Sequence, residues 1–426
     1  MDAIAFRSIV HVNEKGGPFG GTEEYLDLVT SELAARGVTS HLVCGFLAGA
    51  VPPELDSVDV VNGLGSRKLG AHTATEVVDV IAHLDPDVIY LHNLFDPAVV
   101  TELAAMPGRG PIVWYVHDHY LTCLSELRWR RDHDGACRER LGAGCLAAAG
   151  AGHCVLRFPE RPLGAAELSS RAALSHTLGE VDAVIVVSPY MQSLLAEARP
   201  DATDRIHWLP RPIRPFGPRR PRPRHAPLDP TVVTFAGRIT PEKGLAQLIE
   251  ALARVGAEGP IELRIAGVVE HAGYWDGCWE LLHDAVGRNP KLRVSWLGHL
   301  DYPATDELLR LSDIVAVPSQ WPEPLGAVAL EAMSAGAAVV ASAIGGLDTW
   351  IVDGRNGLLV EPADVAAWAE AIGSLIRDPA RAEDLGTRAH QDVRGLTAEA
   401  HVAALDRVVR NAIGPAAPSS PPHPRH

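Results

Sequence analysis

Two groups of charged side chains stand at spacings that could hold a diphosphate ester with a hydroxylated group on each side. The first is the carboxylate pair Glu323 and Glu331, within Trp321-Pro-Glu-Pro-Leu-Gly-Ala-Val-Ala-Leu-Glu-Ala-Met333. Glu323 lies between two prolines, each fixing its own φ and biasing the preceding residue away from the helical region, so it belongs in a turn. A helix can begin only near Leu325, and Leu325, Val328, Leu330, Ala332 and Met333 supply its apolar positions as far as Ala335-Gly336. Glu331 then falls about two turns in, ~9 Å from the helix start at ~1.5 Å per residue. Carboxylates accept sugar hydroxyls, and the open amides and positive dipole end between them suit phosphate. The second group is Gly237-Arg238-Ile-Thr-Pro-Glu-Lys243-Gly244. Thr240 is placed to cap the following helix, with Pro241 at its first position and Lys243 in its first turn. Cations are disfavoured at that end of a helix, so two of them there make sense with an anion between them.

These groups need strands to carry them. Val232-Val-Thr-Phe-Ala236 leads into Arg238, and Leu245, Leu248, Ile249 and Leu252 give the next helix its buried stripe. Strands at 261–264, 292–296 and 313–317 lead to the carboxylates, and helices follow at 370–376 and 402–413. The first half alternates in the same way. Strand Ile9-Val-His-Val12 runs into Gly16-Gly-Pro-Phe-Gly-Gly21, and Thr22 precedes a helix carrying Tyr25, Leu26, Leu28, Val29 and Leu33, closed by Gly37. A strand, a glycine-rich turn and a helix let backbone amides approach an anion, although such turns also serve as plain connections. His41 to Cys44 and Val184 to Val187 are further strands. Strands ending in His92-Asn93 and His117-Asp118 place these four polar residues where open α/β sheets bind ligands.

Four of the six cysteines, Cys123, Cys137, Cys145 and Cys154, share one loop-rich stretch with Arg128, Arg130, Arg131 and His133. Structural zinc and independent thiols are equally compatible with it; the spacings are wide, without a Cys-x-x-Cys pair. Disulfides fit a reducing compartment less well. Asp132-His-Asp134 and Asp85-Pro-Asp87 imitate an acidic metal motif, but the second opens a buried strand and the first sits in the loop-rich stretch.

At 426 residues the chain has room for two domains, and 47% hydrophobic with 21% charged residues supplies packed cores. A formal charge of −15 argues against a nucleic-acid partner. No apolar run approaches the ~20 residues of a membrane span, and the amino terminus lacks a signal-peptide pattern, so the expected location is cytoplasmic. Between Leu209 and Pro230 the sequence turns rich in proline and arginine, which suits an extended connector; a basic membrane-surface patch is the weaker reading and leaves peripheral membrane contact open.

The paired glutamates, with Val317-Pro-Ser319 and Gly336-Ala-Ala-Val-Val340 beside them, resemble the motif of the family 4 retaining glycosyltransferases, and Gly237 to Gly244 resembles that family's Arg/Lys donor-phosphate motif. The likeness runs to about residue 410. It implies a GT-B fold, an α/β architecture of two doubly wound Rossmann-like domains facing across a cleft. The expected layout is an acceptor-side domain over 1–210 with a Cys-containing insertion at about 119–165, a linker at 211–230, a nucleotide-sugar domain over 231–413 and a disordered tail at 414–426. The implied reaction moves a hexose-like sugar, with retention, from a UDP- or GDP-sugar to a small-molecule acceptor such as a secondary metabolite. By the same resemblance, Arg238 and Lys243 hold the diphosphate, Glu331 the ribose, and Glu323 with the Leu325-Gly326 amides the donor sugar and phosphate. His117 faces the reacting sugar, Gly20 and Gly21 approach the phosphate, and His92, Asn93 and Asp118 remain acceptor-side candidates. No catalytic metal or obligatory cofactor is implied. Relatives carry an asparagine turn where this chain has Arg211, a departure expected to affect the hinge without touching a main catalytic position. Alternatives are a GT-B epimerase or phosphorylase, or a noncatalytic partner subunit. Oligomeric state is not legible.

Overall fold

The computed structural model describes residues 4–17, 20–64, 71–130, 132, 135–156, 163–214, 229–255 and 259–413. Most of the Pro/Arg-rich connector (215–228), the tail from 414, and Arg131, His133 and Asp134 of the insertion lie outside the described residues.

The amino-terminal half contributes strands β1 (Ser8–Asn13), β2 (Thr39–Cys44), β3 (Ser57–Val60), β4 (Val88–Leu91) and β5 (Ile112–Val116), then a short antiparallel pair, β6 (Trp129–Arg130) and β7 (Gly135–Ala136), then β8 (Ala183–Val186) and β9 (Ile206–Trp208). Outside the short pair these form one seven-stranded sheet in the order β3-β2-β1-β4-β5-β8-β9, parallel throughout. Runs such as Ile112-Val-Trp-Tyr-Val116 are buried at every position, as a parallel sheet covered on both faces requires. The second half contributes β10 (Thr231–Ala236), β11 (Ile261–Ala266), β12 (Leu292–Gly298), β13 (Ile314–Val317), β14 (Ala338–Ser342) and β15 (Leu358–Val360) in the parallel order β12-β11-β10-β13-β14-β15. Each sheet reverses its winding once, between β1 and β4 and between β10 and β13. The crevice beyond the carboxyl ends of strands at such a reversal is where doubly wound sheets bind ligands.

The two halves touch through specific polar contacts. His119 Nε2 lies 2.8 Å from the Pro322 carbonyl, and Ser188 Oγ donates to the Pro324 carbonyl at 2.6 Å. The last helix, Ala398–Ile413, packs on the first, Gly21–Ala35, rather than on the sheet of its own half. Val402, Leu405 and Val409 are fully buried in the same core as Tyr25 and Val29, and the Ala5 amide donates to Asp406 at 2.6 Å. The carboxy-terminal helix thus packs with the amino-terminal half.

Local corrections follow from backbone geometry. The helix after Glu323 spans Ala327–Ser334 because Gly326 adopts φ 79°, so Glu331 lies one turn in rather than two. A Cβ on Gly326 would come within 2.4 Å of Leu347 Cδ2, which reserves the position for glycine. Thr240 does not cap with its side chain; its Oγ1 is buried without a partner, and Pro241–Lys243 forms a 3₁₀ turn before helix Leu245–Arg254. The first helix begins at Gly21, ahead of Thr22, whose hydroxyl accepts from Asn93 Nδ2 at 3.1 Å.

Candidate functional site

The carboxy-terminal side of the cleft is built from the two turns that leave β10 and β13. Glu323 is buried, and its Oε1 receives Lys243 Nζ at 2.6 Å, Ser319 Oγ at 2.6 Å and Trp321 Nε1 at 3.0 Å. Burial alone would raise this carboxyl; the Lys243 charge and the three donors outweigh it and hold it below its ordinary value. Lys243 also stands over the Trp321 ring, 5.4 Å from its centre. The Glu323 turn rests on two glycines: the Gly346 amide donates to the Glu323 carbonyl at 2.6 Å, and a Cβ on Gly345 would lie 2.5 Å from the Glu323 backbone. Arg238 pairs with Glu270 at 2.6 Å and with Glu242 at 3.3 Å. Both cations therefore have carboxylate partners, and an arriving diphosphate would share or exchange those partners.

The opposite side comes from β1, β4 and β5. Gly20 is the extended residue at the amino end of helix Gly21–Ala35, whose first amides have no intrahelical partner. Beside it stands Arg211, a buried side chain whose Nη1 lies 3.0 Å from where a Gly21 Cβ would be. Arg211 Nη2 donates to Glu24 Oε2 at 2.5 Å, while its Nε is buried without a partner. The expectation that Arg211 affects only the hinge is therefore corrected: its guanidinium adjoins the candidate phosphate loop and its charge reaches His117 and Glu331. The sequence marked Arg211 only as a departure from the relatives' asparagine turn and did not mark Glu24, because the contact joins positions 187 residues apart.

Glu331, half-buried, is raised to about 7, first by burial and then by the Glu24 charge, against the opposing pull of Arg211. A carboxyl raised in the folded state favours folding most below its unfolded pKa and loses that contribution as pH rises through about 7. Were this carboxyl to accept two ribose hydroxyls, as the family resemblance implies, it would have to be ionised. Free nucleoside diphosphate should therefore bind up to about tenfold more tightly at pH 8 than at pH 6. Calorimetry should show that slope in the unaltered protein and lose the part due to this residue in Glu331→Gln.

His117 and the acceptor-side candidates His92, Asn93 and Asp118 take different places. His117 is half-buried, and burial, then Arg211 and His401, hold its pKa well below the usual histidine range. His92 is fully buried behind it, with Nδ1 3.2 Å from His117 Nε2, and does not line the cleft surface. Asp118 accepts from the Tyr120 amide at 2.9 Å and so caps the turn His119–Leu121. Asn93 is tied to Asn13 and Thr22, with its Oδ1 buried and unpartnered.

Cys123, Cys137, Cys145 and Cys154 line one cavity of about 20 Å³ together with Arg128 and Arg130. All are free thiols, Cys123 Sγ lying 3.2 Å from Ser125 Oγ and Cys145 Sγ 3.7 Å from the Arg140 carbonyl. Burial, then the neighbouring thiols, pushes Cys154 up to about 11, which opposes the thiolate form. Among the described residues no three His, Cys, Asp or Glu side chains are placed to hold a metal ion, so the zinc reading of this cluster gains no ligand geometry.

Comparison with known proteins bears on both halves. A family model described as Glycosyltransferase Family 4 matches residues 19–215, and one described as Glycosyl transferases group 1 matches 219–392. Glycogen synthase of Mycobacterium tuberculosis is 36% identical over 179 residues, 42% of this chain and 40% of that protein, so this likeness spans less than half of either. A D-inositol 3-phosphate glycosyltransferase of an Arthrobacter species is 28% identical over 425 residues, covering 92% of each chain. Among solved structures, Anabaena HepE in complex with UDP and glucose superposes with a TM-score of 0.66 at 20% identity, over 94% of this chain and 99% of that one. A glycosyltransferase from Rickettsia africae gives 0.71 at 18% identity, over 96% and 99%. At such identity these structures speak for the fold.

Proposed function

Because the chain belongs to the family 4 glycosyltransferases and has the GT-B fold, we propose that it moves a hexose-like unit from a UDP- or GDP-sugar to a small-molecule acceptor with retention at the anomeric carbon. What supports the reading is one placement. Arg238, Lys243, Glu323 and Glu331 stand at the β10/β13 reversal, opposite Gly21 and His117 at the β1/β4 side. Arg238 and Lys243 meet the diphosphate and Glu331 the ribose diol. Glu323, held ionised by Lys243, takes a hydroxyl of the donor sugar, while the amides at Leu325-Gly326 face the phosphate. Gly20 and Gly21 let the phosphate approach the first helix, and His117 faces the transferred sugar.

The bond from the anomeric carbon to the phosphate oxygen breaks, its electron pair leaving with the diphosphate. The acceptor hydroxyl attacks the same face and passes its proton to the oxygen just released. Charge grows on the leaving diphosphate, so the two cations and the helix amides stabilise the transition state more than the bound donor. No cofactor enters this scheme. Six free cysteines and a nucleotide-sugar donor fit a reducing, cytoplasmic setting, and among the described residues no helix is long and apolar enough to cross a membrane. Relatives named glycogen synthase and D-inositol 3-phosphate glycosyltransferase support sugar transfer as the class of reaction.

The reading is tested by measuring UDP or GDP release from a panel of nucleotide sugars, with cell extract as acceptor source and EDTA present. One donor should release nucleotide in an acceptor-dependent way, at the same rate with and without the chelator. A rate restored only by magnesium or manganese would overturn the role given to the cations. Conversion of the sugar without an acceptor would mark an epimerase, phosphate as acceptor a phosphorylase, and binding without turnover a partner subunit.

A further inference from the structure

His11, His92 and His117 come from three adjacent strands, β1, β4 and β5, and join ring to ring. His11 Nδ1 lies 3.1 Å from His92 Nε2, and His92 Nδ1 lies 3.2 Å from His117 Nε2. The planes of the first two rings are 13° apart and their centres 5.4 Å apart, so the rings meet edge to edge, nearly coplanar. Tyr25, Tyr90 and Tyr115 enclose them, and the Trp114 indole donates to the His92 carbonyl at 2.8 Å. The tyrosines spend their own hydrogen bonds elsewhere. His401 Nδ1 faces the Pro210 carbonyl at 2.8 Å and must donate, so its Nε2 accepts from Tyr25, whose oxygen in turn accepts from Tyr90 at 2.6 Å.

The protons on the histidine chain can be placed by counting. Burial keeps all three rings neutral, so each carries one N–H, and each of the two contacts needs one. Only two arrangements meet both conditions. With all protons directed inward, His11 would carry its hydrogen on Nε2, a fully buried atom with no partner. Directed outward, that atom is a bare acceptor, and buried donors without partners are the rarer and costlier defect. Hydrogen then runs from His11 Nδ1 to His92 Nε2 and from His92 Nδ1 to His117 Nε2.

We infer that His92 and His11 are positioning residues that fix His117 as a neutral imidazole protonated on Nδ1, a hydrogen-bond donor toward an oxygen of the bound sugar. The inference rests on the proposed role of His117 for its use, but not for its geometry. A neutral donor can hold a sugar hydroxyl without adding positive charge beside an anomeric carbon that becomes positive as the leaving group departs. An imidazolium would oppose that charge.

Long-range ¹⁵N–¹H correlation spectra of histidine-labelled protein distinguish the two neutral tautomers, with His117 assigned by its loss in His117→Gln. His117 should show Nδ1–H in the unaltered protein. His92→Leu removes the donor to Nε2 and should move His117 toward Nε2–H, lowering kcat on the order of tenfold with little change in donor KM. His92→Asn sets an amide N–H near the position of His92 Nδ1 and should restore the tautomer and most of the lost rate. Nε2–H at His117 in the unaltered protein overturns the inference, as does an unchanged tautomer in His92→Leu. If the leucine variant does not fold, the tautomer of the unaltered protein and the asparagine variant decide. Predicted tautomers with undiminished turnover in His117→Gln would leave the proton chain standing and remove His117 from catalysis.

Discussion

Lys243→Ala should cost one to two decades of turnover and also lower the melting temperature. A lost charged hydrogen bond to the departing diphosphate is worth ~1.5–3 kcal/mol, and ~1.4 kcal/mol is a decade in rate. The stability effect comes from the other partner. Glu323 is 5% exposed and, among the described residues, takes its one cationic donor from Lys243 at 2.6 Å, so truncation leaves a buried carboxylate with the Ser319 and Trp321 donors. Breaking a fully buried pair costs about 3–5 kcal/mol; with the Lys243 side chain 22% exposed, about 1–3 kcal/mol is expected. Arg238→Ala should separate the two effects. Its Glu270 pair is exposed, but Glu242 is buried and takes this cation at 3.3 Å, so stability should fall by about 1 kcal/mol, less than in Lys243→Ala, while turnover falls as far. The double variant should lose less than the sum, because both cations act on one anion. Near-normal turnover of either single variant at saturating donor removes that residue from the leaving-group site.

Gly244→Ala should unfold the second half or shift its melting far down. Gly244 has φ 73°, and an added Cβ would lie 1.8 Å from the Pro318 carbonyl oxygen and 3.1 Å from Gln320 Nε2. The first contact is with backbone, so no rotamer change relieves it. The turn holding Lys243 and the loop leading to Glu323 would have to move apart, and left-handed φ adds strain of its own. More than ~4 kcal/mol is expected, a fall of about 8–16 °C for a domain of this size. Circular dichroism melts check it; a fall of only 1–2 °C would mean that the two turns are not packed as described. Gly37→Ala is the control, since its φ is similar at 74° and nothing lies within 4 Å of its Cβ position.

How much of this was legible in the sequence depends on whether a contact is local. Glu323, Arg238 and Lys243 could be read because each sits at a strand-to-helix turn within a short contiguous segment. Glycine and proline spell the backbone of those turns directly. Helix ends were read less well: Gly326 looked like part of the helix because an apolar stripe does not reveal a left-handed residue at its start. The strand Ser57–Val60 passed unnoticed because its residues are only partly buried and carry no apolar run. Contacts between the halves were not legible. Tyr25 meets His401 across 376 positions, and the stripe Val402, Leu405, Val409 has the same period whichever sheet it covers. Arg211 was misjudged for the same reason. It lies in a segment whose composition says connector, and only the folded chain brings it beside Gly21 and Glu24. The cysteines show the reverse: four widely spaced thiols converge on one cavity without making a ligand set among the described residues.

The central claim is that the cleft between the two reversal points holds a nucleoside diphosphate, with Glu331 on the ribose and Glu323 on the sugar side. Calorimetric titration of the pure protein with free UDP and free GDP at pH 8 tests it most directly. One nucleotide should bind at a single site per chain. Its affinity should fall at least about tenfold in both Glu331→Gln and Arg238→Ala, the loss expected for one charged hydrogen bond, while Glu323→Gln should alter it much less. Binding of neither nucleotide, or equal binding by the unaltered protein and Glu331→Gln, would contradict the account.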